Sequence, residues 1–131
     1  MGAHTELIFG AVLREDTPDK VIEALNYMLG KIEEKPRGFP LPSGRCEGLF
    51  QYGSYPFAVD RPICKMWLDD TFEEYHISIR SNIKNYNNEI ETFLKWIRPY
   101  IQRGSGSRDM YAIVIHEEQA EPTIYYLREN K

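Results

Sequence analysis

The segment from Glu74 to Arg80 constrains the fold more than any other, because its side chains alternate strictly in polarity. In a strand, its apolar side chains point to one side, and His76, Ser78 and Arg80 point to the other. A strand with one face on a core and one in water is typical of an antiparallel sheet. The chain therefore has to cover only one face of this sheet.

Six further segments are predicted as strands, because they are rich in β-branched and aromatic residues and are bounded by turn residues. In chain order they are residues 7–13, 49–52, 55–59, 63–68, 110–116 and 123–128. Residues 7–13 are apolar in both alternating registers, which predicts an interior strand. Gly53 and Ser54 are typical of the turn of a short hairpin between 49–52 and 55–59. An exposed edge at residues 55–59 would let two copies pair as a homo-oligomer.

Two amphipathic helices are predicted to cover the sheet. The apolar stripe of the first is Val21, Ile22, Leu25, Met28 and Leu29, and that of the second is Ile90, Phe93, Leu94, Ile97 and Ile101. We expect the first helix to begin at Asp16 to Pro18 and end at Gly30. Asn88 and Glu91 have capping-box spacing at the start of the second, and Pro99 should end it or kink it.

The predicted fold is α+β, with a mainly antiparallel sheet of about five to seven strands and both helices on one face. A ferredoxin-like two-layer sandwich with added strands is one candidate. The length of 131 residues predicts a single domain over 1–131. Five of the eight prolines fall in residues 31–62, which are predicted to hold a Pro- and Gly-rich loop at about 31–46 and the short hairpin.

Charge and composition argue against several classes of protein. The chain carries 16 Lys and Arg against 20 Asp and Glu, a net charge of −4, without the basic clustering that nucleic-acid binding requires. No apolar run is long enough to span a membrane, and no signal peptide is visible. With only two cysteines, Cys46 and Cys64, a reduced, cytoplasmic protein is predicted.

The residues with catalytic or metal-binding chemistry lack the spacing that such sites show locally. Cys64 lies in an apolar segment, where cysteine usually acts as a small buried hydrophobe. His4, His76 and His116 have no ligand spacing, and Asp69-Asp70 is typical of a turn. We therefore expect no cofactor, no metal and, on balance, no catalysis, although residues distant in the sequence can still assemble a site.

The favoured function is binding of another protein through the open face of the sheet. His76, Ser78 and Arg80 would lie there, joined by Tyr111 or Tyr125 according to the register, and the loop containing Phe39 would form its rim. Small acidic proteins of the immunity or phage accessory type offer an analogy. The alternative is a small-molecule binder or enzyme with a cleft between the 31–46 loop and the sheet, with His76, Arg80 and Cys64 as candidate residues.

Overall fold

Five strands, two α-helices and two short 3-10 turns form the regular structure of the described residues. The computed structural model describes residues 4–54, 61, 63–102 and 109–127. In chain order the strands and α-helices are β1 (Thr5–Val12), α1 (Asp19–Met28), β2 (Lys65–Asp69), β3 (Glu74–Ile83), α2 (Glu89–Ile97), β4 (Met110–His116) and β5 (Thr123–Tyr126). The 3-10 turns are Leu49–Gln51 and Arg98–Tyr100.

The strands form one antiparallel sheet in the order β2-β3-β1-β4-β5. β1, predicted as an interior strand, lies in the centre and pairs with β3 on one side and β4 on the other. Up to β4, the alternation of strands and helices is the ferredoxin-like arrangement, and β5 adds one strand at the edge. The predicted α+β class with a mainly antiparallel sheet is confirmed.

Both helices pack on the same face of the sheet. Phe93 of α2 contacts Phe9 of β1 edge-to-face, with ring centroids 5.3 Å apart, and contacts Phe50 at the same distance. Val21 and Leu25 of α1 are 3% and 0% exposed and belong to the same buried cluster. Edge-to-face aromatic pairs add stability beyond the area that they bury. The core therefore lies between the helix layer and one face of the sheet.

Proline and glycine set the helix ends close to the predicted positions. Pro18 is extended and immediately precedes α1, which begins at Asp19. Gly30 follows the helix with φ +82°, a left-handed conformation that glycine adopts without steric cost. α2 ends at Ile97, and the chain tightens into the 3-10 turn that contains Pro99.

The start of α2 differs from the predicted capping box. Asn88 has φ +57° and its side chain caps no backbone N–H. Asn85 takes this role, because its Oδ1 accepts a hydrogen bond from the N–H of Ile90 at 2.9 Å. Its Nδ2 also donates to Glu91 Oε1 at 2.7 Å. The prediction was wrong because a capping side chain needs an extended backbone, whereas Asn88 is left-handed.

The strand predicted at 49–52 is instead the 3-10 turn Leu49–Gln51. Leu49 and Phe50 are adjacent and both at most 1% exposed, which a tight turn allows but alternating strand faces do not. Ser81 of β3 anchors the turn, since its Oγ donates to the Leu49 carbonyl at 2.6 Å. The other strand of the predicted hairpin, residues 55–59, lies outside the described residues.

Neither helix of the described chain could cross a lipid bilayer, because each is too short and too polar for the hydrocarbon layer.

Candidate functional site

The polar side chains of the alternating segment lie on the sheet face opposite the helices, which we call the open face. His76, Ser78 and Arg80 pair with Val12, Gly10 and Ile8 of β1, in that order. Ile77 and Ile79, which alternate with them, are 2% and 1% exposed beneath the helices. Alternation along β3 therefore places the three polar residues together, as predicted from the sequence. Their role in binding remains a prediction.

The open face has an apolar half and a half that is polar and aromatic. Across β1, β4 and β5 it carries the aliphatic residues Ile8, Val12, Ile113, Ile115 and Ile124. Across β2 and β3, the Trp67 indole stacks on the His76 imidazole with centroids 5.4 Å apart and planes 14° apart. Lys65 Nζ lies 5.5 Å from the centroid of the Trp67 ring. Clustered apolar side chains on such a surface are typical of interaction sites.

Tyr111 and Tyr125 are on the helix-covered face, so the expectation that one of them joins the open face was wrong. The Tyr111 ring lies 6.4 Å from Phe9 and 6.0 Å from Tyr125, edge-on to both. A bulge between Met110 and Ala112 breaks the alternation of β4 and turns Tyr111 inward. Burial raises the pKa of both tyrosine hydroxyls.

The Pro-rich loop also lies on the helix side, which corrects the prediction that Phe39 rims the open face. Phe39 packs edge-to-face on Tyr27 of α1 at 5.4 Å, and Lys35 Nζ lies 5.2 Å from the Phe39 centroid. Leu41 and Cys46 are 6% and 1% exposed and belong to the core. The loop follows its apolar residues onto the helices because burial there removes them from water.

A cleft of about 470 Å³ separates this loop from α1 and from the end of α2. Phe39, Trp96 and Tyr100 supply aromatic lining, and the charged lining residues are Lys20, Arg37 and Glu23, which leave an excess of one positive charge. The sequence predicted a cleft between the 31–46 loop and the sheet. The helices form its wall instead, since they separate the loop from the sheet.

Neither cysteine has the environment of a nucleophile. Burial raises the pKa of Cys46 and of Cys64 to about 11. The Cys64 thiol donates to the Arg80 carbonyl at a distance of 3.6 Å. Because the thiolate is the reactive form, both thiols are nearly inert at neutral pH.

The turn between β2 and β3 brings together the side chains of Asp69, Glu74 and His76, of which the sequence analysis considered Asp69 and His76 separately and Glu74 not at all. Asp69 pairs with Glu74 across the hairpin, and His76 follows two residues later on the same face. One ligand atom from each lies within 4.8 Å of the other two. The hairpin register could have predicted this cluster, because a four-residue turn between Asp69 and Glu74 makes their carboxylates cross-strand neighbours.

The same turn carries exposed apolar side chains. Phe72 is 72% exposed, and Trp67 and Leu68 are 44% and 47% exposed. We call Trp67 and Phe72, with the four carboxylates around them, the hairpin surface; its members are Trp67, Asp69, Asp70, Phe72, Glu73 and Glu74. Leu68 pairs with Tyr75 and therefore lies on the other face of the sheet. The hairpin surface has four carboxylates and no Lys or Arg of its own, so it is acidic. Two lysines adjoin it, since Lys65 Nζ lies against Trp67 and Lys31 Nζ donates to the Met66 carbonyl at 2.8 Å.

A buried polar group lies at the opposite end of the open face. Glu6 is 2% exposed and accepts hydrogen bonds from Ser54 Oγ at 2.5 Å and Asn82 Nδ2 at 3.1 Å. Glu6 and Asn82 are direct partners across β1 and β3. The hydrogen bonds from Ser54 and Asn82 offset the cost of removing the Glu6 side chain from water, whereas Asn82 Oδ1 is buried without a hydrogen-bond partner among the described residues.

Comparisons with known proteins add no relative. No protein-family model matches the chain, and neither the curated proteins nor the solved structures contain a match. The ferredoxin-like arrangement therefore describes architecture alone, since a fold of this kind hosts many unrelated activities.

Proposed function

We propose that the chain is a non-catalytic binding protein that recognises a basic partner protein through the hairpin surface and the adjoining part of the open face. One observation supports this above all. Of the eight large hydrophobic residues that are exposed in the described part of the chain, four lie within the ten residues from Ile63 to Phe72, and Trp67 among them is on the open face beside the turn that carries Phe72. Such concentration is typical of a binding surface, whereas exposed apolar residues scattered singly are ordinary.

Aromatic side chains are suited to anchor such an interface. Phe72 extends from the turn, and Trp67 is held in place by its stack on His76. A ring that is already fixed loses little conformational freedom on binding, and aromatic residues are enriched among the anchors that carry most of the binding energy.

Charge complementarity supports a basic partner. Four carboxylates, those of Asp69, Asp70, Glu73 and Glu74, surround Phe72 in the sequence without an intervening cation. Such a rim attracts Lys and Arg side chains during encounter and disfavours acidic proteins. The chain's net charge of −4 acts in the same direction at long range.

The test is a quantitative pull-down from a lysate of the source organism, followed by titration of the captured partner in purified form. Two variants are compared with the wild type: Trp67→Ser/Phe72→Ser, which removes the anchors, and Asp70→Lys/Glu73→Lys, which reverses the rim charge. Met110→Ser/Ile124→Ser serves as the matched control, because it removes two exposed apolar residues on β4 and β5, at the edge of the sheet farthest from β2.

We expect a basic protein that binds the wild type and the control alike and binds both hairpin variants at least tenfold more weakly. Each tenfold loss corresponds to about 1.4 kcal/mol. Equal binding by the hairpin variants, greater loss in the control, or capture of acidic partners alone would contradict the proposal. Circular dichroism of each variant establishes that lost binding reflects the surface and not the fold.

A second candidate function rests on the cleft between the Pro-rich loop and the helices. Its aromatic lining fits a planar small molecule, and the two cations Lys20 and Arg37 against the single carboxylate of Glu23 favour an anionic one, because such sites combine apolar walls with a few placed charges. Substitutions separate the two candidates. Arg37→Ala should abolish ligand-induced thermal stabilisation and leave protein binding intact, whereas the hairpin variants should do the reverse.

A further inference from the structure

We propose that Asp69, Glu74 and His76 form a binding site for a divalent transition-metal ion on the open face of the β2–β3 hairpin. One ligand atom from each of the three side chains lies within 4.8 Å of the other two. This inference does not depend on the proposed partner, because the three ligands belong to one hairpin of the chain itself.

The sheet brings these ligands together through its register. Asp69 and Glu74 are direct cross-strand partners at the end of the hairpin, and His76 follows Glu74 on the same face of β3. Hydrogen-bonded strands hold side chains more firmly than a loop does, which favours a defined coordination geometry. Ligands about 2.1 Å from an ion lie about 3.4 Å apart in a tetrahedron, so modest side-chain rotations close the set around an ion.

Neighbouring groups orient two of the ligands. The Asp69 carboxylate accepts hydrogen bonds from the backbone N–H groups of Thr71 and Phe72, both at 3.4 Å. The His76 ring is stacked on Trp67 at 5.4 Å. Such outer contacts fix the direction of the ligand atoms and thereby strengthen metal binding.

The pairing of Asp69 with Glu74 supplies a separate reason for a cation at this position. Two like charges directly opposite each other on an antiparallel pair are destabilising. A divalent ion between the two carboxylates turns that repulsion into attraction. Neither residue sits in the core, so an ion from solution can reach the site.

The donor set selects the class of metal. One imidazole nitrogen and two carboxylate oxygens suit zinc and the neighbouring transition ions, whereas calcium and magnesium favour oxygen ligands alone. Three protein ligands leave at least one coordination position for water or for a side chain of a partner. Affinity within this class should follow the usual order, with copper(II) tightest.

The experiment uses the stacked tryptophan as its reporter. Trp67 and Trp96 are the two tryptophans of the chain, so Trp96→Phe leaves Trp67 as the sole tryptophan, which is excited selectively at wavelengths that the nine tyrosines do not absorb. Metal-free, untagged protein in this background is titrated with CuCl₂, which quenches a nearby indole, and with ZnCl₂ in a calorimeter. We expect saturable binding of one ion per chain, with affinity reduced at least tenfold by His76→Gln and by Glu74→Gln.

Asp70→Asn and His116→Gln are the matched controls, since they remove a neighbouring carboxylate and a histidine outside the site. Both should bind the ions as the parent does. Absence of saturable binding overturns the proposal, as does equal affinity in His76→Gln or an equal loss in Asp70→Asn. Because Glu74→Gln leaves the Trp67–His76 stack in place, its loss of affinity is distinguishable from a disturbed hairpin, which circular dichroism reports independently.

Discussion

Cys64 shows how the surroundings of a single residue decide its chemistry. It lies next to β2, and its thiol donates to the Arg80 carbonyl at 3.6 Å. Burial, which disfavours the charged thiolate, is the largest cause of its raised pKa of about 11. Cys46, at 1% exposure, has its pKa raised to about 11 for the same principal reason. The sequence offered two thiols, and their environments leave both protonated at neutral pH.

Alkylation of Cys64 should accordingly be slow at neutral pH and steeply pH-dependent. We expect the rate of its reaction with iodoacetamide in Cys46→Ser protein to rise about tenfold per pH unit from pH 7 towards 10. The reason is that the fraction of thiolate increases about tenfold per pH unit at any pH well below the pKa. Mass spectrometry of timed samples measures the rate, and the same titration in denaturant is the control. A rate that reaches its plateau near pH 7 would show an activated thiol instead.

The start of α2 shows how an element depends on residues outside its predicted boundary. Asn85, five residues before Ile90, caps the first turn through its side chain, while Asn88 turns the chain in the left-handed conformation. The two asparagines therefore have different roles: Asn85 caps the helix through its side-chain oxygen, and Asn88 reverses the chain through its left-handed backbone.

This division predicts opposite responses to glycine and alanine. Asn88→Gly should be neutral or slightly stabilising, because glycine adopts φ +57° without strain, whereas Asn88→Ala should lose about 1 kcal/mol of unfolding free energy. Asn85→Ala should cost about 1 kcal/mol through the lost cap. Urea unfolding followed by circular dichroism measures all three. If Asn88→Gly costs as much as Asn85→Ala, the assignment of the cap is incorrect.

At the scale of the whole molecule, the buried core and the proposed binding surface lie in different parts of the structure. The helix-covered face holds the aromatic cluster in which Phe93 contacts Phe9, Phe50 and Trp96. The hairpin surface projects Phe72 into solvent. Changes to the hairpin surface should therefore affect a partner or a metal ion while the fold is preserved.

A pair of matched substitutions tests this division. Phe93→Ala should lower the unfolding free energy by about 3–5 kcal/mol, because it leaves a cavity among packed rings. Phe72→Ala removes the same atoms from a side chain that is 72% exposed, and should change stability by about 0.5 kcal/mol or less. Chemical denaturation of both variants decides the matter. A large loss in Phe72→Ala would mean that the turn contributes to the core.

Much of the fold and part of the candidate site could be predicted from local pattern. The alternation around His76, Ser78 and Arg80 requires only the period of a strand, so it located these residues on one face. The bulge beside Tyr111 could not be predicted, because an inserted residue has no distinctive composition. It moves the Tyr111 side chain from the open face of the sheet to the helix-covered face. The pairing of Asp69 with Glu74 could have been predicted from the register of the hairpin.

The sequence by itself determined the α+β class, the two helices, the central strand and the open face of β3, since these follow from short-range periodicity, from the fixed φ of proline and from the conformational freedom of glycine. Only the tertiary structure decided that the Pro-rich loop packs on the helices and that both tyrosines lie beneath them. It also gathered Asp69, Glu74 and His76 at one end of the sheet. The physical reason is that burial of apolar surface and strand register are properties of the whole assembly, to which residues distant in sequence contribute jointly.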